Sequence, residues 1–281
     1  MEFTPLGPEQ RRQFEEEGFL ILRGVLDKQL LETLIAAGDR LLASDRQENR
    51  QREPDGLYDG FRNCIAMDDA FIPLLTHAGT LPLIVQLLGP HIHLVTSHLI
   101  YKHPDPPGTD PAIKPQGWHR DIAGTPEDLG HAHVPRMEMK CAFYLTDLSE
   151  PNSGATLFAP GSNHFKEAME IPPGKVGPAN AFEPRLRPGD AVFFENRTYH
   201  AVSPNLSART RKVVMLGYGY QWLKPFDYTI ADPALAGKVD DIGKQLLGAL
   251  RDPQGRFLYS GLDWPLRNWC KTHGVVYRPP Q

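Results

Sequence analysis

Apolar residues along the 281-residue chain change their spacing near residue 90. Residues 8–17 read as a short helix, with proline in the first turn and Gly18 as its stop. Phe19-Leu20-Ile21-Leu22 follows as a buried strand. Asp27 is placed to cap a second helix, whose Leu30, Leu31, Leu34, Ile35, Leu41 and Leu42 fall mostly at three- and four-residue steps. Residues 44–59 are charged and without period, which predicts a loop. A third helix over 81–88 ends at Gly89-Pro90. From His91 onward the pattern becomes short apolar runs between clusters of Pro, Gly and Asn. Strands are predicted over 91–102, 138–148, 155–159, 190–195 and 211–222, with long connections at 104–116 and 122–136. An amphipathic piece near 239–250 and an aromatic tail with Trp264 and Trp269 lie beyond this block. The reading is one domain over 1–281. It has helical support in 1–90, a jelly-roll core in 91–222 and a C-terminal decoration in 223–281, mainly β with flanking α-helices.

Composition narrows the class. Hydrophobic residues make up 41% and charged residues 23%, enough to bury a core. The 25 Gly and 27 Pro imply many turns. With 30 Lys+Arg against 34 Asp+Glu and no basic run, the chain lacks the cationic face that neutralises phosphates, so nucleic acid is not an expected partner. Three cysteines without CxxC spacing suit free thiols in a reducing compartment. No apolar stretch reaches the ~18 residues of a membrane span, and the N-terminal residues have no signal-peptide pattern. The expectation is a cytoplasmic protein without a membrane partner. Nothing in the pattern points to an oligomeric state.

The chemistry concentrates in Gln116-Gly117-Trp118-His119-Arg120-Asp121 and in Tyr199-His200. A His-x-Asp pair offers two metal ligands from one segment, and a remote histidine can complete a face of three, as in non-haem iron sites. The tripeptide alone is weak, because roughly one such pair is expected by chance and His103-Pro104-Asp105 is another. Context strengthens it. The predicted strand before His200 and the strand opening at Arg211 could bring both to one cavity, where a guanidinium would grip a carboxylate. Arg209 is the rival, but the Ser207-Ala208-Arg209 turn points it to solvent, and strand alternation favours Arg211. His91-Ile92-His93 and His131-Ala132-His133 place histidine pairs on one side of a strand, without the convergent third ligand a metal wants. Tyr218, Tyr220 and Trp222 read as core packing.

These residues carry a family resemblance. Trp118-His119-Arg120-Asp121, Pro135-Arg136-Met137, Leu145-Thr146-Asp147, Pro151-Asn152-Ser153-Gly154-Ala155-Thr156-Leu157, Pro160-Gly161-Ser162-Asn163-His164, Pro188-Gly189-Asp190 and Glu195-Asn196-Arg197-Thr198-Tyr199-His200, with Asn205 and Arg211, occur in order. Together they resemble the phytanoyl-CoA dioxygenase (PhyH-like) family of Fe(II)/2-oxoglutarate-dependent oxygenases, over roughly residues 19–222. The resemblance implies a double-stranded β-helix of cupin-like type. It implies Fe(II) on His119, Asp121 and His200, 2-oxoglutarate as cosubstrate, and O2 as oxidant. It further implies Arg211 on the distal carboxylate, with Gln116, Thr156 and, at greater remove, Arg62 as further cosubstrate contacts. The implied reaction oxidises an unactivated C–H bond, with succinate and CO2 as co-products. Halogenating relatives lack the carboxylate that Asp121 supplies, so oxygenation is expected. The scattered Lys and Arg argue against the phosphates of a CoA thioester and favour a small, partly hydrophobic natural-product-type substrate. Residues 44–62 and 122–136 would grip it, with His133 or Arg136 as contacts. Competing expectations are an acyl-CoA hydroxylase, a non-catalytic metal-binding jelly roll and a zinc hydrolase.

Overall fold

The computed structural model of the protein describes residues 3–252, 254–256 and 264–277. The chain runs through α1 (Pro8–Glu17), β1 (Phe19–Leu22), α2 (Lys28–Ala43), β2 (Arg50–Arg52), β3 (Tyr58–Arg62), α3 (Ile72–Leu75) and α4 (Leu81–Leu88). It continues through β4 (Ile92–Lys102), α5 (Gly124–Leu129), β5 (Glu138–Tyr144), β6 (Thr156–Phe158), β7 (Ala191–Glu195), β8 (His200–Val202) and β9 (Arg211–Tyr220). Three helices follow, α6 (Pro233–Ala236), α7 (Asp241–Leu246) and α8 (Pro265–His273). No helix among the described residues is long and apolar enough to cross a membrane.

The architecture is mainly antiparallel sheet with flanking helices. A seven-stranded sheet has the order β1-β7-β5-β9-β4-β3-β2, and β6 pairs with β8 in a two-stranded sheet. The large sheet is apolar on one side because alternate residues point the same way. Met139, Cys141 and Phe143 of β5 join Val214, Leu216 and Tyr218 of β9 and Leu94 and Leu99 of β4 in one core cluster. Leu34, Ala37 and Leu41 of α2 and Ile84, Leu87 and Leu88 of α4 complete it, so the helices cover this face. A second, smaller core includes Phe19, Ala142, Tyr144, Phe158, Phe194 and Val213. Phe158 stacks on Phe19 at 4.6 Å, which seats β6 against the other face of the large sheet.

Local signals explain the ends. Gly18 has φ +80° and its N–H closes α1 on the Phe14 carbonyl at 2.9 Å. A Cβ there would lie 2.1 Å from Thr198 Oγ1, so only glycine fits. Asp27 accepts from the Leu30 N–H and caps α2, as its position in the sequence predicts.

Several expectations are corrected. The stretch 44–59, predicted as a loop, contains β2 and the start of β3. This edge is held by ion pairs rather than by apolar periodicity, since Arg50 clasps Asp59 at 3.0 and 2.8 Å and Arg52 Nε adds a contact at 2.8 Å. Within 122–136 lie α5 and a single 3-10 turn at His131–His133, so that histidine pair is not on a strand. The strand expected over 138–148 stops at Tyr144, and β8, too short to show a period, was not anticipated.

Candidate active site

Alternation that turns one face of the large sheet to the helices turns another set of side chains to the small sheet. Tyr58 and Arg62 of β3, Thr96, His98, Ile100 and Lys102 of β4, Lys140 of β5, and Arg211 and Met215 of β9 line one cavity of about 250 Å³. Thr156 of β6, His200 and Val202 of β8, and His119 and Asp121 from the segment between β4 and α5 close it. The register enforces this grouping, because Lys102 lies opposite Arg211 and His98 opposite both Arg62 and Met215.

His119 and His200 exchange backbone hydrogen bonds at 3.0 and 2.9 Å, which binds the loop carrying His119 and Asp121 to the start of β8. One ligand atom from each of His119, Asp121 and His200 lies within 4.8 Å of the others. His119 Nδ1 faces the Gly117 carbonyl at 2.8 Å and His200 Nδ1 faces the Thr198 carbonyl at 3.0 Å. A carbonyl only accepts, so both Nδ1 atoms carry the proton and both Nε2 atoms keep a free lone pair. Burial pushes the His200 imidazolium down to about 4, which keeps this ring neutral at neutral pH. Asp121 Oδ2 is buried without a hydrogen-bond partner among the described residues. Burial opposes its charge, but Lys140 and the two histidines outweigh that and hold the carboxyl below its ordinary range. Two imidazoles that turn Nε2 away from their carbonyl partners and an unsatisfied carboxylate suit a divalent cation. Ile122, directly after Asp121, has φ +54°, a left-handed conformation that costs a β-branched residue ~1–3 kcal/mol.

Arg211, on β9, also lines this cavity and is 2% exposed. Its Nη2 donates to Thr156 Oγ1 at 3.1 Å, and Tyr144 Oη donates to the same oxygen at 2.8 Å. Its Nε has no partner among the described residues. A buried guanidinium in that state calls for an anion. Tyr58 Oη and His98 Nε2 meet at 2.6 Å beside it.

The other candidates divide. Arg62 lines the cavity, donating Nη1 to Thr96 Oγ1 at 3.2 Å and Nε to Gln51 Oε1 at 3.1 Å. Arg209 pairs with Asp147 at the surface. Gln116 does not line the cavity. Its Oε1 accepts from the Trp118 indole at 3.0 Å, and that indole also donates to the Val176 carbonyl, so Gln116 braces the loop. Arg136, expected as a substrate contact, is buried in ion pairs with Glu15 and Glu195, and His133 lines neither this cavity nor its neighbour. His93 is buried elsewhere, and among the described residues only His119, Asp121 and His200 converge as three potential metal ligands.

Glu138 and Lys140 fall outside the motifs of the sequence. Lys140 Nζ lies 2.6 Å from Glu138 Oε1, and both are buried. Burial pushes the Glu138 carboxyl up to about 7 against the pull of Lys140. Their signal was the charge at two alternate positions of an otherwise apolar strand.

Residues 14–213 match the phytanoyl-CoA dioxygenase (PhyH) family. A search of curated proteins gives no match. Among solved structures, the chain is similar to the non-haem α-ketoglutarate-dependent epimerase SnoN from nogalamycin biosynthesis, with 22% identity and TM-score 0.56 over 75% of this chain and 80% of that one. It is also similar to HygX from Streptomyces hygroscopicus, solved with nickel, 2-oxoglutarate and hygromycin B, with 16% identity and TM-score 0.64 over 82% and 94%. The carbocyclase SnoK from nogalamycin biosynthesis gives 19% identity and TM-score 0.59 over 78% and 87%. At these identities the likeness is one of fold.

Proposed function

The chain belongs to the phytanoyl-CoA dioxygenase family, and from that premise we propose that it is an Fe(II)/2-oxoglutarate-dependent dioxygenase oxidising an unactivated C–H bond of a small natural-product-type metabolite. The two sheets, in this reading, are the halves of a double-stranded β-helix with the site between them. His119, Asp121 and His200 hold the iron, and Arg211 with Thr156 holds the distal carboxylate of 2-oxoglutarate. The bound ferrous ion supplies the coupling of 2-oxoglutarate decarboxylation to activation of O2, with succinate and CO2 as co-products. The solved neighbours SnoN and HygX, which carry Fe3+ or nickel with their cosubstrate and small-molecule ligands, support a small-molecule partner.

The chain's own contribution is geometric and electrostatic. Backbone carbonyls at Gly117 and Thr198 fix both imidazoles with Nε2 presented to the cation. The Thr156 hydroxyl orients the Arg211 fork, which is already buried and so costs little reorganisation when a carboxylate arrives. Apolar walls at Ile100, Val202 and Met215 help exclude water around the reacting groups.

The observation that carries this reading is the pairing of unmet needs in one cavity, an unsatisfied Asp121 oxygen and an unsatisfied Arg211 guanidinium. A zinc hydrolase or an inert metal-binding barrel leaves Arg211 without a task. The test is 2-oxoglutarate turnover in the presence of ascorbate. Succinate formation that requires both Fe(II) and O2, and disappears in Asp121→Ala, is the expected result. Turnover indifferent to O2, or preserved in that variant, contradicts it.

A further inference from the structure

A second cavity, of about 630 Å³, adjoins the first and shares Arg62, Asp121 and Lys140 with it. Its remaining walls are Asn49, Arg50 and Gln51 of the β2 edge, Ile122, Glu138, and Phe226 with Asp227 from the segment after β9. It includes neither Arg211 nor Thr156, and its volume lies in the range of ligand pockets.

Much of the charge on its walls is already satisfied. Arg50 is held by Asp59. Asp227 accepts from Thr96 Oγ1 and the Ser97 N–H, both at 2.7 Å. What remains open is Glu138 Oε2, fully buried without a hydrogen-bond partner among the described residues, and the ammonium of Lys140, whose three N–H groups exceed its one carboxylate contact. Phe226 stands at the rim, 51% exposed, with its ring 5.9 Å from Lys140 Nζ.

We propose that this cavity holds the oxidised substrate, and that the Glu138–Lys140 pair recognises a neutral, hydroxyl-rich molecule of the sugar or cyclitol type, with Phe226 against its C–H face. An acceptor beside a donor matches a hydroxyl, which is both. An ammonium ligand would meet Lys140 and Arg62, and a carboxylate or phosphate would meet Glu138 and Asp227, so neither charge sign is favoured. A fatty acyl chain would face the carboxylate and ammonium with hydrocarbon and leave both unpaired. The assignment departs from the partly hydrophobic substrate expected from the sequence, because sequence pattern alone does not show that the β5 pair faces a cavity. It rests on the oxygenase reading for the claim that the molecule is oxidised, and on the cavity alone for the claim that it binds.

Binding is therefore tested first, by calorimetry on the full chain without metal or cosubstrate. The probes are a panel of neutral glycosides and cyclitols, hygromycin B as an aminated comparison, and palmitoyl-CoA. Saturable binding of members of the neutral hydroxyl-rich panel, weakened about tenfold by Glu138→Gln and by Lys140→Met and partly regained in Glu138→Asp, is expected. Palmitoyl-CoA binding with no hydroxyl-rich compound bound, or a Glu138→Gln affinity within about twofold of the parent, overturns the assignment. With Fe(II) and 2-oxoglutarate added, the bound compound should raise succinate formation. Binding without any 2-oxoglutarate turnover would sink the oxygenase reading and leave the recognition intact.

Discussion

Histidines that ligate metals nearly always commit the other ring nitrogen, and His119 and His200 each turn Nδ1 to a carbonyl two residues earlier in the chain. The His119-x-Asp121 spacing and the ordered motifs ending at His200 made these residues, with Asp121, legible as candidates. Strand alternation and the family pattern pointed to Arg211 as a candidate, and the family pattern alone to Thr156. The direction of Gln116 was not, because it depends on where the Val176 loop passes. Arg211→Met, which keeps the bulk and removes the fork, should weaken 2-oxoglutarate binding by about a hundredfold while Arg209→Met leaves it within about twofold. Equilibrium binding by calorimetry reads the difference, and equal losses in both variants would show that the anchor is misassigned.

Among elements, β4 supplies Thr96, His98, Ile100 and Lys102 to the cavity, and β5 and β9 add Lys140, Arg211 and Met215, because strand alternation separates core from cavity. The residues facing the helices were predictable as core, but Glu138 and Lys140 could be assigned to a face only once the register placed Lys140 opposite Gly217. A Cβ at Gly217 would lie 2.4 Å from Glu138 Oε1 and 2.6 Å from Thr96 Cγ2. Gly217→Ala should therefore cost ~1–3 kcal/mol in urea unfolding and displace the pair. The β2 edge escaped the sequence because Arg50 and Asp59, not apolar residues, hold it. On β4, burial pushes His93 down to about 4, and its Nε2 has no partner among the described residues. The unfolded chain takes up a proton near pH 6.5 that the folded chain refuses until about pH 4, so His93 costs stability as pH falls through that window and no more below it. Glu138, raised to about 7, gains a proton in the folded state over an overlapping range and offsets part of this loss. The comparison with His93→Phe isolates the histidine. The variant should lose up to ~3 kcal/mol less than the parent between pH 6.5 and pH 4, and parallel losses would contradict the assignment.

Across the whole molecule, a buried ion network ties the first helix to the sheet that carries the site. Arg136 reaches Glu15 of α1 at 2.6 Å and Glu195 of β7 at 3.1 Å, while Arg197 pairs with Glu195 at 2.7 Å. Arg136→Met leaves Glu195 to Arg197 alone and should destabilise the fold by ~1–3 kcal/mol in chemical denaturation, and a cost below ~0.5 kcal/mol would show that the Arg136 arm of the network is dispensable. None of its members lines the cavity, so the network supports the sheet without touching the site. The sheets support the cavity, and the proposed function turns on joint binding of Fe(II) and 2-oxoglutarate there. Anaerobic titration of the metal-free protein with Fe(II) and 2-oxoglutarate measures it most directly, through the weak visible charge-transfer band of the chelate. The band should grow to saturation in the parent protein and be absent in Asp121→Ala at the same concentrations. A parent protein that never develops the band, or a variant that develops it equally, would contradict the account.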